Sequence, residues 1–172
     1  TTTGANGVAS TFPANEPLAI HLRGVSKHWG ALHAVDGVDL AVPAGEIFGL
    51  IGHNGAGKST LFKMMLGLLS PSAGSIHIAG QPVFGAQARE VRRQVGYLPE
   101  NVALWDNLSG LETLRFFARL KRIDPVECAP LLARVGLGEV GKRPVRAYSK
   151  GMRQRLGFAQ ALLGRPQVLF LD

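Results

Sequence analysis

The sequence predicts an α/β domain, a largely parallel sheet interrupted by a mostly helical insertion from about residue 101 to 150. Three observations predict it. Strand-like runs alternate along the chain with stretches of helical spacing. A Gly-rich loop joins one apolar run directly to a helical one. Apolar residues make up 46% and charged residues 18% of the 172, enough material for a core.

Residues 1–17 are rich in Thr, Ala, Asn, Gly and Pro, carry only Glu16 as a charge, and read as a flexible arm. Alternation begins at Leu18-Ala-Ile-His-Leu-Arg and returns over Val35–Val42, before the turn Pro43-Ala-Gly45. Glu46–Ile51 is a short apolar run of the kind that forms a buried strand. The helix expected next covers Lys58 to about Leu69 and is stopped by Ser70-Pro-Ser-Ala-Gly74. Ser75–Ala79 reads as another strand, Arg89–Gln94 as a helical turn and Val95–Leu98 as a strand.

Beyond Pro99 the pattern becomes helical. Ser109 stands where a cap is needed, with Glu112 at the capping-box position. Leu111, Leu114, Phe117, Ala118 and Lys121 then recur at helical spacing. A second helix is expected over Pro125–Val135 and a third over Met152–Leu163, before an apolar strand, Val168–Leu171, that ends in Asp172.

Several classes are excluded. No apolar stretch approaches the ~20 residues of a membrane helix, and with no basic start and apolar run at Thr1 a secretory signal is not expected. The single cysteine, Cys128, rules out an internal disulfide framework and a multi-Cys zinc site. His21, His28, His33, His53 and His77 form no metal-binding motif with it. The formal charge is +7, and between Arg89 and Arg155 Lys and Arg outnumber Asp and Glu by 14 to 7. Such a surplus fits nucleic acid, anionic lipid, a phosphorylated ligand or a solvated face. No aromatic residues interleave with these charges, so nucleic acid is not the expected partner.

The strongest chemistry lies in Gly52-His53-Asn54-Gly55-Ala56-Gly57-Lys58-Ser59, which fits G-x-x-x-x-G-K-[ST] with an apolar run before it and a helix after it. The glycines let successive backbone N–H groups turn inward as an anion nest, and the helix that follows points its positive end at the same place. Lys58 adds a full charge for the β- and γ-phosphates, and Ser59, followed by Thr60, a hydroxyl for Mg²⁺. Asp172 closes the strand Val168–Leu171 at its carboxyl end, where α/β sheets bind ligands, and is suited to holding the same ion.

Between these lies Tyr148-Ser149-Lys150-Gly151-Met152. Here the sequence resembles the ATP-binding subunits of ABC transporters, whose signature reads Leu-Ser-Gly-Gly-Gln; Ser149 and Gly151 match, and Tyr148, Lys150 and Met152 depart. Lys27-His-Trp29-Gly30 stands where the family carries an aromatic that stacks on adenine, and Tyr97-Leu-Pro-Glu100 where it carries its Q-loop, with Glu100 in place of glutamine. The resemblance covers about residues 18–172, and these features resemble the branch serving ABC-2-type permeases. The segment Gly96–Asn107 is similar, more narrowly, to the ATP-binding subunit of the nitrous-oxide-reductase copper maturation system.

The resemblance implies a P-loop NTPase core with N-terminal antiparallel strands, ATP and Mg²⁺ as cofactors, and hydrolysis. Lys58, Asp172 and Glu100 would act in catalysis; Ser59, Glu100 and Asp172 would hold Mg²⁺, although an ionised Glu100 would also repel the γ-phosphate. Trp29, Gly52–Thr60, Ser149 and Gly151 would bind nucleotide, the last two on the ATP of a second, head-to-tail subunit. The remaining partner implied is an integral membrane permease, which would place this subunit on the cytoplasmic face of the membrane. A glutamate directly after Asp172 and a later switch histidine are also implied; the chain stops short of both and by itself is expected not to turn over ATP. Three alternatives remain: a soluble ABC ATPase acting on nucleic acid or ribosomes, a non-hydrolysing regulatory cassette, and a P-loop nucleotide kinase.

Overall fold

The computed structural model describes residues 17–53 and 55–172; the expected N-terminal arm lies outside them except for Pro17. The chain divides into two compact units, residues 1–92 and 93–172.

In the first unit, β1 (Leu18–Trp29) and β2 (Leu32–Pro43) form a long hairpin. β1 also pairs antiparallel with β3 (Ala73–Ile78), and β3 with the short β4 (Gln81–Pro82), giving the order β2-β1-β3-β4. Leu22, Val25, Ile76 and Ile78 are buried. The helix α1 (Lys58–Met65) buries Leu61, Met64 and Met65 and lies against β2 and β3.

α1 ends earlier than its apolar pattern predicts. Gly67 takes a left-handed φ of +69°, its N–H donates to the Met64 carbonyl at 3.0 Å, and the Leu68 N–H to that of Lys63 at 2.8 Å. This pair of bonds is the Schellman termination that glycine permits. The short α2 (Ala88–Arg93) closes the unit around Val91.

One expectation is overturned. Glu46–Ile51 is not a strand, and Ile47 and Ile51 are 100% and 94% exposed. A strand exists only when a neighbour takes up its backbone donors and acceptors. This run pairs with neither β2 nor β4, the two edges of the sheet in its unit.

In the second unit, β5 (Val95–Leu98) and β6 (Val168–Leu171) pair in parallel, with Val95 opposite Val168 and Leu98 opposite Leu171. Three helices accompany them: α3 (Gly110–Lys121), α4 (Cys128–Arg134) and α5 (Lys150–Leu162). The helix expected over Pro125–Val135 is divided. A 3₁₀ turn, Pro125–Glu127, is capped by the Asp124 side chain on the Val126 N–H, and α4 follows. Leu114, Ala118, Cys128, Leu132, Leu156 and Leu163 form the centre of the helical core. Lys121 reaches from the end of α3 to the carbonyls of Val95 (3.3 Å) and Leu163 (3.2 Å), and burial pushes its pKa down.

Candidate nucleotide-binding site

The first unit holds the Gly-rich loop. Gly55 and Gly57 both adopt positive φ, +85° and +81°. A Cβ on Gly57 would stand 2.2 Å from the Ala34 carbonyl oxygen of β2, so only glycine fits there. Gly57 is also the N-cap of α1. It offers no side-chain acceptor, and the first turn holds no acid. α4 likewise starts without a side-chain cap, at Glu127, whereas two other helix starts are capped. Ser109 caps α3 in a full capping box, and Ser149 caps α5 through the Met152 N–H. An N-terminus left without a capping side chain keeps its N–H groups and its partial positive charge for an anion.

The Lys58 ammonium folds back over this loop, donating to the carbonyls of Gly52 and of His53, the latter at 2.8 Å. Ser59 is exposed in the first turn with Thr60 beside it, and Asn54 lies outside the described residues. The donor set therefore fits a polyphosphate: backbone N–H groups, one ammonium and a hydroxyl of the kind that ligates Mg²⁺.

Trp29 ends β1 at the hairpin tip and is 49% exposed. The Lys27 ammonium sits 5.3 Å from the centre of its ring, within cation–π range, and also donates to the Ser70 carbonyl at 2.8 Å. The residue expected to meet adenine thus presents an indole held by its neighbour two positions back, a contact that the sequence reading missed. A basic residue at i−2 on the same strand face was the available signal.

The second unit brings together the carboxyl ends of β5 and β6. The Asp172 N–H donates to the Leu98 carbonyl at 3.0 Å, prolonging the ladder by one residue. The Tyr97 hydroxyl donates to Asp172 Oδ2 at 3.1 Å. Burial first, then the hydrogen bond and the charge of Asp172, push the Tyr97 pKa up, which keeps its proton in place as a donor. Glu100 is exposed in the bend that follows β5.

At the signature segment, Ser149 and Gly151 are exposed at the start of α5. Two of the departures from the family pattern have packing explanations. Tyr148 is buried and donates its hydroxyl to the Val140 carbonyl at 2.9 Å, and Met152 packs against the same helical core. Lys150, the third, is exposed.

An α/β chain with a Gly-rich phosphate loop at the start of α1 and an acid at the end of a parallel strand is a P-loop nucleotide-binding protein. The family model for ABC transporters matches residues 35–172, and the chain belongs to that family. It is 40% identical over 158 residues to the daunorubicin resistance ATP-binding protein DrrA3 of Streptomyces coeruleorubidus, covering 90% of this chain and 50% of that protein. It is 36% identical over 153 residues to the lantibiotic transport ATP-binding protein SrtF of Streptococcus pyogenes, covering 89% of this chain and 65% of that one. The chain thus spans between half and two thirds of these relatives. Among solved structures it resembles cbiO1 of Clostridium perfringens, part of the ABC transporter complex cbiONQ, with a TM-score of 0.80 and 26% identity, covering 91% of this chain and 66% of that one. It also resembles an ATP-binding subunit of an ABC transporter with a TM-score of 0.79 and 32% identity, covering 90% and 65% of the two chains. No helix among the described residues is long and apolar enough to cross a membrane.

Proposed function

We propose that this chain is the ATP-binding, ATP-hydrolysing domain, about residues 18–172, of an ABC transporter that drives a separate membrane permease from the cytoplasmic face. The observation that carries this reading is the start of α1. It combines a glycine forced by the Ala34 carbonyl, an N-terminus without a side-chain cap, and Lys58 folded over the loop. Backbone N–H groups of Gly55–Thr60 take the phosphate oxygens, and Lys58 neutralises the β- and γ-phosphates. Trp29 stacks on the adenine. Ser59 supplies a hydroxyl to Mg²⁺, Asp172 a carboxylate in the Walker-B role, and Glu100 stands in the Q-loop. The bound ion supplies charge stabilisation to the transferring phosphoryl group.

Ser149 and Gly151 grip the γ-phosphate on a second copy of the subunit, in a head-to-tail dimer whose closure is passed to the permease. Gly151 supports this. A Cβ there would meet nothing within 4 Å, so this chain's own packing does not require glycine, although glycine costs a helix about 0.8–1 kcal/mol relative to Ala. Close approach of a ligand is a reason to keep it.

The similarity to DrrA3, a daunorubicin resistance protein, and to SrtF, a lantibiotic transport protein, supports export of a drug-like or peptide cargo. A copper-maturation role has only the stretch Gly96–Asn107 behind it.

The test is titration calorimetry of Lys58→Ala with ATP and with adenosine. ATP affinity is expected to fall at least tenfold and adenosine affinity to stay unchanged, since only phosphates meet the lysine. Equal loss for both ligands would overturn the assignment.

A further inference from the structure

The register of β5 and β6 sets Tyr97 opposite Phe170. Side chains alternate along a strand with a period of two, so Asp172 projects on the same face as Phe170, one step closer to the carboxyl end. A tyrosine is long enough to cross that diagonal, and the Tyr97 hydroxyl meets Oδ2 of Asp172 at 3.1 Å. The backbone of Asp172 is held separately, by its own N–H on the Leu98 carbonyl at 3.0 Å. Main-chain position and side-chain rotamer are thus fixed by two different bonds, both from β5. Of the two carboxylate oxygens, the tyrosine hydroxyl takes Oδ2.

We propose that Tyr97 is a positioning residue for metal binding: its hydroxyl holds Asp172 through Oδ2 and leaves Oδ1 turned out for Mg²⁺. The proposal rests on Asp172 acting as the Walker-B acid. An exposed carboxylate on a strand end otherwise samples several rotamers, and each must be given up when the ion binds. A hydroxyl that pre-selects one removes that cost. Partners that orient a metal ligand in this way are worth about 10–100-fold in affinity or activity. The exposure of Asp172 puts the expected effect at the lower end.

The decisive variant is Tyr97→Phe in the full chain, which keeps the ring and deletes only the donor. Binding of the fluorescent nucleotide mant-ATP is followed while Mg²⁺ is titrated in, and again in EDTA; Asp172→Asn and the double variant are run alongside. Tyr97→Phe is expected to raise the half-saturating Mg²⁺ concentration about tenfold and to leave mant-ATP binding in EDTA unchanged. The double variant is expected to behave as Asp172→Asn alone, because the hydroxyl acts only through that carboxylate. If Asp172→Asn shifts the Mg²⁺ titration and Tyr97→Phe does not, the positioning role is wrong while the functional reading stands. If neither shifts it, the Walker-B assignment of Asp172 falls and the proposal with it. Equal weakening of mant-ATP binding with and without Mg²⁺ in Tyr97→Phe would show a purely structural tyrosine and also overturn the proposal.

Discussion

At residue 57 a single methyl group decides whether the phosphate loop exists. The position needs a φ of +81°, and its Cβ would lie 2.2 Å from the Ala34 carbonyl oxygen, a contact no rotamer relieves because both partners are backbone-fixed. Gly57→Ala is therefore expected to displace the loop from β2. Strain of this kind costs roughly 1–3 kcal/mol, readable as a lower urea midpoint, and ATP binding should be lost in calorimetry. Unchanged ATP affinity in a folded Gly57→Ala protein would mean that the loop geometry is not what holds the phosphates. The tyrosine at 148 shows the same dependence on one neighbour from the other side. Gly110 is required because a Cβ there would come within 2.3 Å of the Tyr148 hydroxyl oxygen, so this departure from the family signature is matched by a glycine 38 positions earlier.

Among the elements, α3 is the one whose start is most fully specified. The Ser109 side chain accepts from the Glu112 N–H at 3.2 Å, and the Ser109 N–H donates to the Glu112 carboxylate at 2.8 Å. Ser109→Ala should cost about 1 kcal/mol of stability. The Ser109 hydroxyl first, and its backbone N–H second, hold the Glu112 carboxyl below its usual range. A depressed carboxyl pKa stabilises the fold above the unfolded value, about 4.3, and that contribution disappears as pH falls through the lower folded value. Thermal melts of Glu112→Ala and the parent protein should accordingly differ at pH 7 and draw together as pH falls from the unfolded value, about 4.3, through the lower folded one. A gap that persists in acid would show that charge has no part in the cap. The Arg153–Asp106 bridge, at 2.6 Å, joins the start of α5 to the segment before α3. Both partners are partly exposed, and such pairs are worth little.

For the whole molecule, the proposed dimer makes the exposed start of α5 an interface. Ser149→Arg is expected to leave mant-ATP binding intact and to abolish ATP-driven self-association in light scattering, since the added bulk stands where a second subunit's nucleotide would sit. Normal self-association would remove Ser149 from the mechanism. Much of this molecule was legible in its sequence where the determinants are local. The strands Val95–Leu98 and Val168–Leu171, the Ser109–Glu112 box, the Ser149 cap and the Gly52–Ser59 loop each follow from residue types a few positions apart. Periodicity, turn chemistry and capping act over that range. The remainder depended on which distant segment becomes a neighbour. Apolar content alone marked Glu46–Ile51 as a strand, yet strand formation needs a partner that composition does not name. Gly57 is compulsory because of Ala34, and Tyr97 meets Asp172 because two strands 70 residues apart pair in one parallel register. Sequence by itself determined where the Gly-rich loop and its lysine stand, because that pattern is local; tertiary structure decided how the acid is held, because a one-residue slip in register would turn Tyr97 to the other face of the sheet.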